Sequence, residues 1–270
     1  MNGDAVKWLP YAKPAIATGL LIVLWVLEAV VPMYGGRERR LSHGAANVAL
    51  GLFNAVVAAV LLGATFLAVT DWAQEHSFGM LHWLPSAIPT WVLWIVGLVL
   101  FDAWMYLWHV LNHRVPLLWR FHAVHHTDRE LDVSSAMRFH TGEILLSGVS
   151  RLVILPVIGM TMPQLLLYEL FLLPVIFFHH SNVRLPQRID RRLCWFIVTP
   201  GMHWVHHSRL RQETNSNYAS VLPIWDRLFG TYCCRDDLQD IEFGLDGDGD
   251  TDQRRWRTFL GMLVQPFRPE

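Results

Sequence analysis

The chain has 270 residues, 53% hydrophobic and 17% charged, with a net charge of −1 and a positive mean hydropathy. Ordinary soluble domains carry about 25% charged residues, so the balance points to a membrane protein, and near neutrality excludes the basic field that nucleic acid requires. Three cysteines, Cys194, Cys233 and Cys234, are too few for a disulfide framework and lack CxxC spacing; they read as ordinary thiols of a reducing compartment.

In chain order, Pro14 to Met33 is apolar apart from Glu28 and long enough to cross a hydrocarbon core of about 30 Å. It is long for a signal-peptide core and no small-x-small cleavage site follows, so it reads as an uncleaved helix. Arg37, Arg39 and Arg40 come next. A second apolar run spans Gly44–Val69 and a third Ala87–Val110, which carries Asp102; residues 70–86 between them contain no Lys or Arg. Arg114, Arg120, Arg129 and Arg138 follow the third run. The fourth region, Ile144–Phe178, is too long for one straight span and is interrupted by Pro156, Gly159, Thr161 and Pro163. It reads as a hairpin of two helices, 144–158 and 164–180. Arg151 within it should face protein or the interface, because lipid burial of a charge is costly. Arg184, Arg188, Arg191 and Arg192 follow the hairpin. The positive-inside rule places all three basic segments in the cytoplasm.

The expected fold is therefore all-α: an integral membrane bundle of four or five helices, including the 144–180 hairpin, under a helical, histidine-rich cytoplasmic cap. The expected organisation is N-terminal membrane helices over 1–86, a histidine-bearing unit over 87–233 and an acidic C-terminal tail over 234–270. Aspartates alternate in the tail from Leu245 to Asp252 as in a calcium loop, but the closing glutamate is absent, so a flexible acidic loop is expected.

Of 14 histidines, 11 lie between His109 and His207. His109 and His113 are four apart and share one helix face. His122, His125 and His126 have i, i+3, i+4 spacing, and His203, His206 and His207 repeat it. Neutral imidazole is a good ligand for iron, zinc, copper or nickel. Eight such residues exceed what one ion accepts, so two neighbouring ions are expected, with His140 and the His179–His180 pair available to complete their shells. Desolvating this many imidazoles with no metal between them is expensive. His43, His76 and His82 fall outside the pattern and read as structural.

The runs WHVLNHRVPLLWRFHAVHH, RFHTGE, FHHSN, TPGMHWVHHS and NSNYASVLPIWDRLFGTY resemble the fatty acid hydroxylase and sterol desaturase superfamily, which includes alkylglycerol monooxygenase. The resemblance covers about residues 90–233 and is closest in flavour to bacterial members. It implies a membrane-bound non-haem di-iron enzyme, in a bacterial inner membrane, that uses O2 to hydroxylate or desaturate an aliphatic C–H bond of a fatty acyl, alkyl or sterol chain. It implies His109, His113, His122, His125, His126, His203, His206 and His207 as the catalytic iron ligands, with His180 and His140 added and His179 a neighbour. Asn217, Asp226, Glu143 and Asp132 are candidates to orient imidazoles, and Asp102, nearly in line with His109, is a candidate for the same work or for helix packing. Electrons would come from NAD(P)H through a ferredoxin- or cytochrome-type partner, since no GxGxxG, flavin or haem signature is present. Arg184, Arg188, Arg191 and Arg192 could dock an acidic carrier, although positive-inside topology alone accounts for them. The competing readings are a membrane zinc hydrolase, which should show a catalytic glutamate in an HExxH setting, and a metal transporter, which should place its ligands near the bilayer midplane.

Overall fold

A computed structural model describes residues 3–35, 39–245 and 255–268. Among the described residues it is all-helical, with no strand and only isolated bridges at Pro32–Val183 and Ser208–Phe243. The long elements are α1 (Gly3–Val30), α2 (Arg40–Glu75), α3 (Thr90–Arg114), α5 (Thr141–Ile158) and α6 (Met162–His180); α4 (Pro116–His126), α7 (Gln187–Leu193) and α8 (Pro200–His206) are short.

Four stretches are long and apolar enough to cross a membrane: Arg40–Trp83, Thr90–Arg114, Thr141–Ile158 and Met162–His180. Their outer faces carry Leu52, Val56, Val60, Val149 and Val153, all exposed, while Asn47, Asn54 and Asp102 are buried. That inverted pattern suits a lipid solvent, which leaves apolar surface unpunished and drives polar groups inward. At 36 residues, α2 is about 54 Å long, more than the roughly 30 Å core. It begins four residues before the apolar run and ends six after it, and its first turns pack against the cap rather than lipid. The hairpin breaks where the sequence suggested, but Pro156 stays inside α5. The turn itself is made by Gly159 at φ 88° and by Thr161, which caps α6 with Gln164 in a reciprocal capping box.

α2 packs on α5, α1 on α6, and α3 against both members of the hairpin. Residues 115–140 and 181–243 close over the end of the bundle where α3 and α6 finish and α5 starts. α1 is tied to this cap through Glu28, which is 3% exposed. Its carboxylate accepts from the backbone N–H groups of Val133 and Asn182, both at 2.7 Å, and pairs with Arg40 at 3.0 Å. The C-terminal segment is packed rather than free: Met262 is buried against α2 and α4, and Gln265 reaches Thr127. Residues 246–252 of the acidic run, and Arg37, lie outside the described residues. All three cysteines are free thiols.

Candidate metal centre

α3 ends on His109 and His113. Pro116 then starts α4 at once, so α4 turns back beside the end of α3 and brings His122, His125 and His126 to it. α6 delivers His180 in its last turn. α8, capped by Thr199 and opened by Pro200, delivers His203, His206 and His207.

These nine imidazoles form two groups. His109, His113, His122, His126 and His206 make one; His125, His180, His203 and His207 make the other. Within each group one ring nitrogen from each residue lies within 4.8 Å of all the others. The groups adjoin: the rings of His126 and His207, one from each, are 4.5 Å apart between centroids. Each HxxHH motif is thus divided. The members four apart share a group, and the third is rotated about 100° around the helix into the other.

The backbone fixes the tautomers. A carbonyl only accepts, so an imidazole nitrogen against one must carry the proton. His109 Nδ1 donates to the Tyr218 carbonyl at 2.7 Å, His125 Nδ1 to Arg138 at 3.2 Å, His180 Nδ1 to Ile176 at 2.8 Å and His206 Nδ1 to Ser216 at 2.6 Å. His122 Nδ1 donates to the Glu143 carboxylate at 2.8 Å. Each of these rings is left with a bare Nε2 lone pair aimed inward. Yet Nε2 of His109 faces Nε2 of His122 at 3.2 Å, and Nε2 of His125 faces Nε2 of His180 at 3.1 Å. Two acceptors at that distance repel unless a cation lies between them. His206 Nε2 is buried with no hydrogen-bond partner. The donor set therefore fits metal ions, one for each group.

Burial acts in the same direction. Desolvation first, then the neighbouring imidazoles, holds His125, His126, His203 and His207 well below the usual histidine range and His206 down to about 3. These rings stay neutral, which is the form that ligates.

The other candidates take different places. His140 stands outside both groups: Nδ1 accepts from the Gly142 N–H, capping α5, and Nε2 meets the Leu263 carbonyl at 3.1 Å. His179 is buried and stacks on His203 with centroids 4.0 Å apart. His43 pairs with Asp128 and Asp132. Asp102 does not reach His109; it accepts from Tyr168, Trp225 and the Leu222 N–H, locking α3 to α6 and to the 222–225 turn. Asn217 and Asp226 act one step back. Asp226 accepts from the N–H groups of Tyr218 and Ala219, and Asn217, at φ 52°, bridges Met202 and Cys233. Together they hold the loop whose Ser216 and Tyr218 carbonyls orient His206 and His109. Phe139 stacks on His125 at 4.2 Å, a contact that sequence spacing does not signal. A cavity of about 210 Å³ opens beside the histidines between α3, α5 and α6, walled by Trp108, Ile144, Leu172 and Ile176.

Residues 94–231 match the profile of the fatty acid hydroxylase family. The chain is similar to ornithine lipid hydroxylase OlsE of Rhizobium tropici, 31% identical over 213 residues, covering 77% of this chain and 61% of that protein. It is 27% identical over 221 residues to alkylglycerol monooxygenase of Xenopus tropicalis, covering 80% and 46%. It is 28% identical over 163 residues to human cholesterol 25-hydroxylase, covering 56% and 59%. The chain thus spans 46% to 61% of the length of these relatives. No solved structure matches it.

Proposed function

This chain belongs to the fatty acid hydroxylase family, and from that premise we propose that it is a membrane-bound oxidoreductase that uses two iron ions and O2 to hydroxylate, or desaturate, an aliphatic C–H bond of a lipid. The observation that carries the reading is the pair of inward-facing Nε2 contacts at 3.1 and 3.2 Å between rings whose Nδ1 protons are already committed. It supports two cation sites of imidazole donors, five on one and four on the other. The relatives named as hydroxylases and a monooxygenase support a lipid as the substrate class.

An aliphatic C–H bond offers no acidic or basic handle. Bound iron supplies the O2 and one-electron chemistry that no side chain here provides. The chain's own residues do the positioning. The Tyr218, Arg138, Ile176 and Ser216 carbonyls and Glu143 lock five rings in the ligating tautomer. The cavity beside them is lined mainly by apolar atoms and on this proposal seats a hydrocarbon segment beside the histidines. The catalytic unit of this proposal is 87–233. His140 is left out of the proposed ligand set because both its nitrogens meet backbone groups.

Electrons come, on this reading, from NAD(P)H through a ferredoxin- or cytochrome-type donor. The arginine-rich segments after α3 and α6 support a cytoplasmic cap in a bacterial inner membrane. A zinc hydrolase is less well supported: Glu143, the carboxylate nearest the groups, is bound to His122 Nδ1 instead of standing free as a general base. Metal analysis of purified protein, followed by lipidomics under 18-oxygen gas with and without the gene, tests the proposal. Two irons per chain and an 18-oxygen label or a new double bond in one lipid class are expected. One zinc per chain with an unchanged lipid profile would overturn it.

A further inference from the structure

The cap is not confined to the end of the bundle: its 222–231 segment runs down the side of α3. The Leu222 N–H and the Trp225 indole N–H both donate to Asp102, at 3.2 and 2.8 Å. Phe229 stacks on Tyr106 with centroids 5.4 Å apart, and the Thr231 and Tyr106 hydroxyls meet at 2.9 Å. Tyr106 and Asp102 stand eight and twelve residues before Arg114, where α3 ends, or about 12 and 18 Å back along its axis. At 25 residues, α3 is about 37 Å long, some 7 Å more than a hydrocarbon core of about 30 Å. With all of that excess on the histidine side, Asp102 still lies about 10 Å inside the core and Tyr106 about 4 Å.

The segment is built to be dry. In hydrocarbon, backbone polar groups need partners within the protein. Asp226 is fully buried and accepts from the Tyr218 and Ala219 N–H groups and from the Thr231 hydroxyl. Its carbonyl accepts from the N–H groups of Thr231 and Tyr232. The Val221 carbonyl accepts from the Val198 N–H, and the Pro223 carbonyl from Arg227 at 3.0 Å. With its backbone so committed, the short helix Ile224–Leu228 turns apolar side chains outward: Ile224 is 56% exposed, Leu228 66% and Phe229 62%. Exposed Trp195 adjoins them through Arg227, whose guanidinium lies over its ring at 4.4 Å. Phe196 beside it is exposed as well, and so is Leu107 of α3. In water such a patch is a liability. Along the flank of a membrane span it is what the solvent asks for, with tryptophan and arginine suited to the boundary.

We infer that residues 221–229 form a re-entrant wedge in the leaflet on the histidine side, and that acyl chains of that leaflet cover Ile224, Leu228 and Phe229. The inference rests on α3 spanning a bilayer, not on the metal chemistry. Ala219 and Ser220, at the head of the wedge, line the cavity beside the histidines. The wedge is therefore a wall with acyl chains on one side and the proposed substrate chamber on the other.

The test is photocrosslinking of the full chain in vesicles of phosphatidylcholine and phosphatidylglycerol. p-Benzoylphenylalanine, which inserts into nearby C–H bonds, replaces Ile224, Leu228, Val153 or Asp236, one at a time. Val153 is exposed on the outer face of α5, and Asp236 is a cap charge with its side chain 91% exposed. Ile224 and Leu228 are both exposed, so neither replacement opens a packed core, and an unchanged unfolding midpoint checks this for each. Mass spectrometry should find lipid adducts at Ile224 and Leu228 as abundant as at Val153, attached to chain methylenes, and none at Asp236. Adducts at Val153 with none at Ile224 or Leu228 would overturn the wedge alone. Attachment there to headgroup atoms only, or to a second copy of the chain instead of lipid, would overturn it too. No lipid adduct at any of the three would overturn the spanning bundle along with it.

Discussion

Replacing Glu143 by glutamine should weaken one metal site while leaving the metal-free fold as stable or more so. Glu143 is 6% exposed, and its one short hydrogen bond comes from His122 Nδ1 at 2.8 Å; Asn112 is at 3.4 Å and Oε2 has no partner. A buried carboxylate with so little compensation is costly. Positive charge beyond the imidazole repays it. Glutamine keeps the shape and an acceptor for His122, and loses only the charge. Loss of such a supporting carboxylate typically lowers metal affinity ten- to a hundred-fold, about 1.4 to 2.8 kcal/mol. The loss should fall on the five-histidine group, to which His122 belongs, and spare the four-histidine group. Competitive chelator titration with metal analysis should therefore show one of two ions released earlier than in wild type. Thermal unfolding after full chelation should show a midpoint equal to or above that of wild type. Equal weakening of both ions, or a large drop in the chelated midpoint, would refute the charge argument.

Three further outcomes follow from the same geometry. His140→Ala should keep both metals and lose only about 1 kcal/mol with the α5 cap, read by metal analysis and thermal unfolding; a lost ion would restore His140 as a ligand. Alanine at His126 and at His207 should deplete different ions, so the single variants should each keep about one metal per chain and the double variant none. Loss of both ions from either single variant would contradict the division of the motifs. The metal-free protein should be acid-labile. His125, His126, His203, His206 and His207 are held below their unfolded value near 6.5. The unfolded chain takes up protons there and the folded chain does not, so stability present above about pH 6.5 is lost as pH falls, by up to about 1.4 kcal/mol per unit for each ring. An unfolding midpoint that is flat from about pH 7.5 to about pH 5.5 in chelator would contradict this.

The long apolar helices and the hairpin break were legible in the sequence because both signals are local: hydropathy over twenty residues, and Gly159 with Thr161 at the turn. The histidine spacings were legible for the same reason, since helical period alone sets which rings share a face. The division of each motif between two groups was not, because it depends on how α4 and α8 face one another. The carbonyls of Ser216 and Tyr218 that fix two tautomers leave no trace in residue type at all. His140 looked like a ligand by type and neighbourhood, and only the packed C-terminal segment shows the Leu263 carbonyl at its ring. Glu28 looked like a stray charge near the end of a span; besides nearby Arg40, its backbone partners lie 105 and 154 residues away in sequence.

That separation bears on assembly in the cell. At synthesis rates of about 5–20 residues per second, a gap of 154 residues is a wait of roughly 8 to 30 s. During it, α1 reaches the bilayer with an acid that has met neither Val133 nor Asn182. Arg40, 12 residues on, is made early, but an ion pair that still lacks its backbone donors resists burial in lipid, so the Glu28 end of α1 should settle fully only when the cap is made. Glu28 then acts as a latch that closes late, after α6 and the segment that follows it have been made.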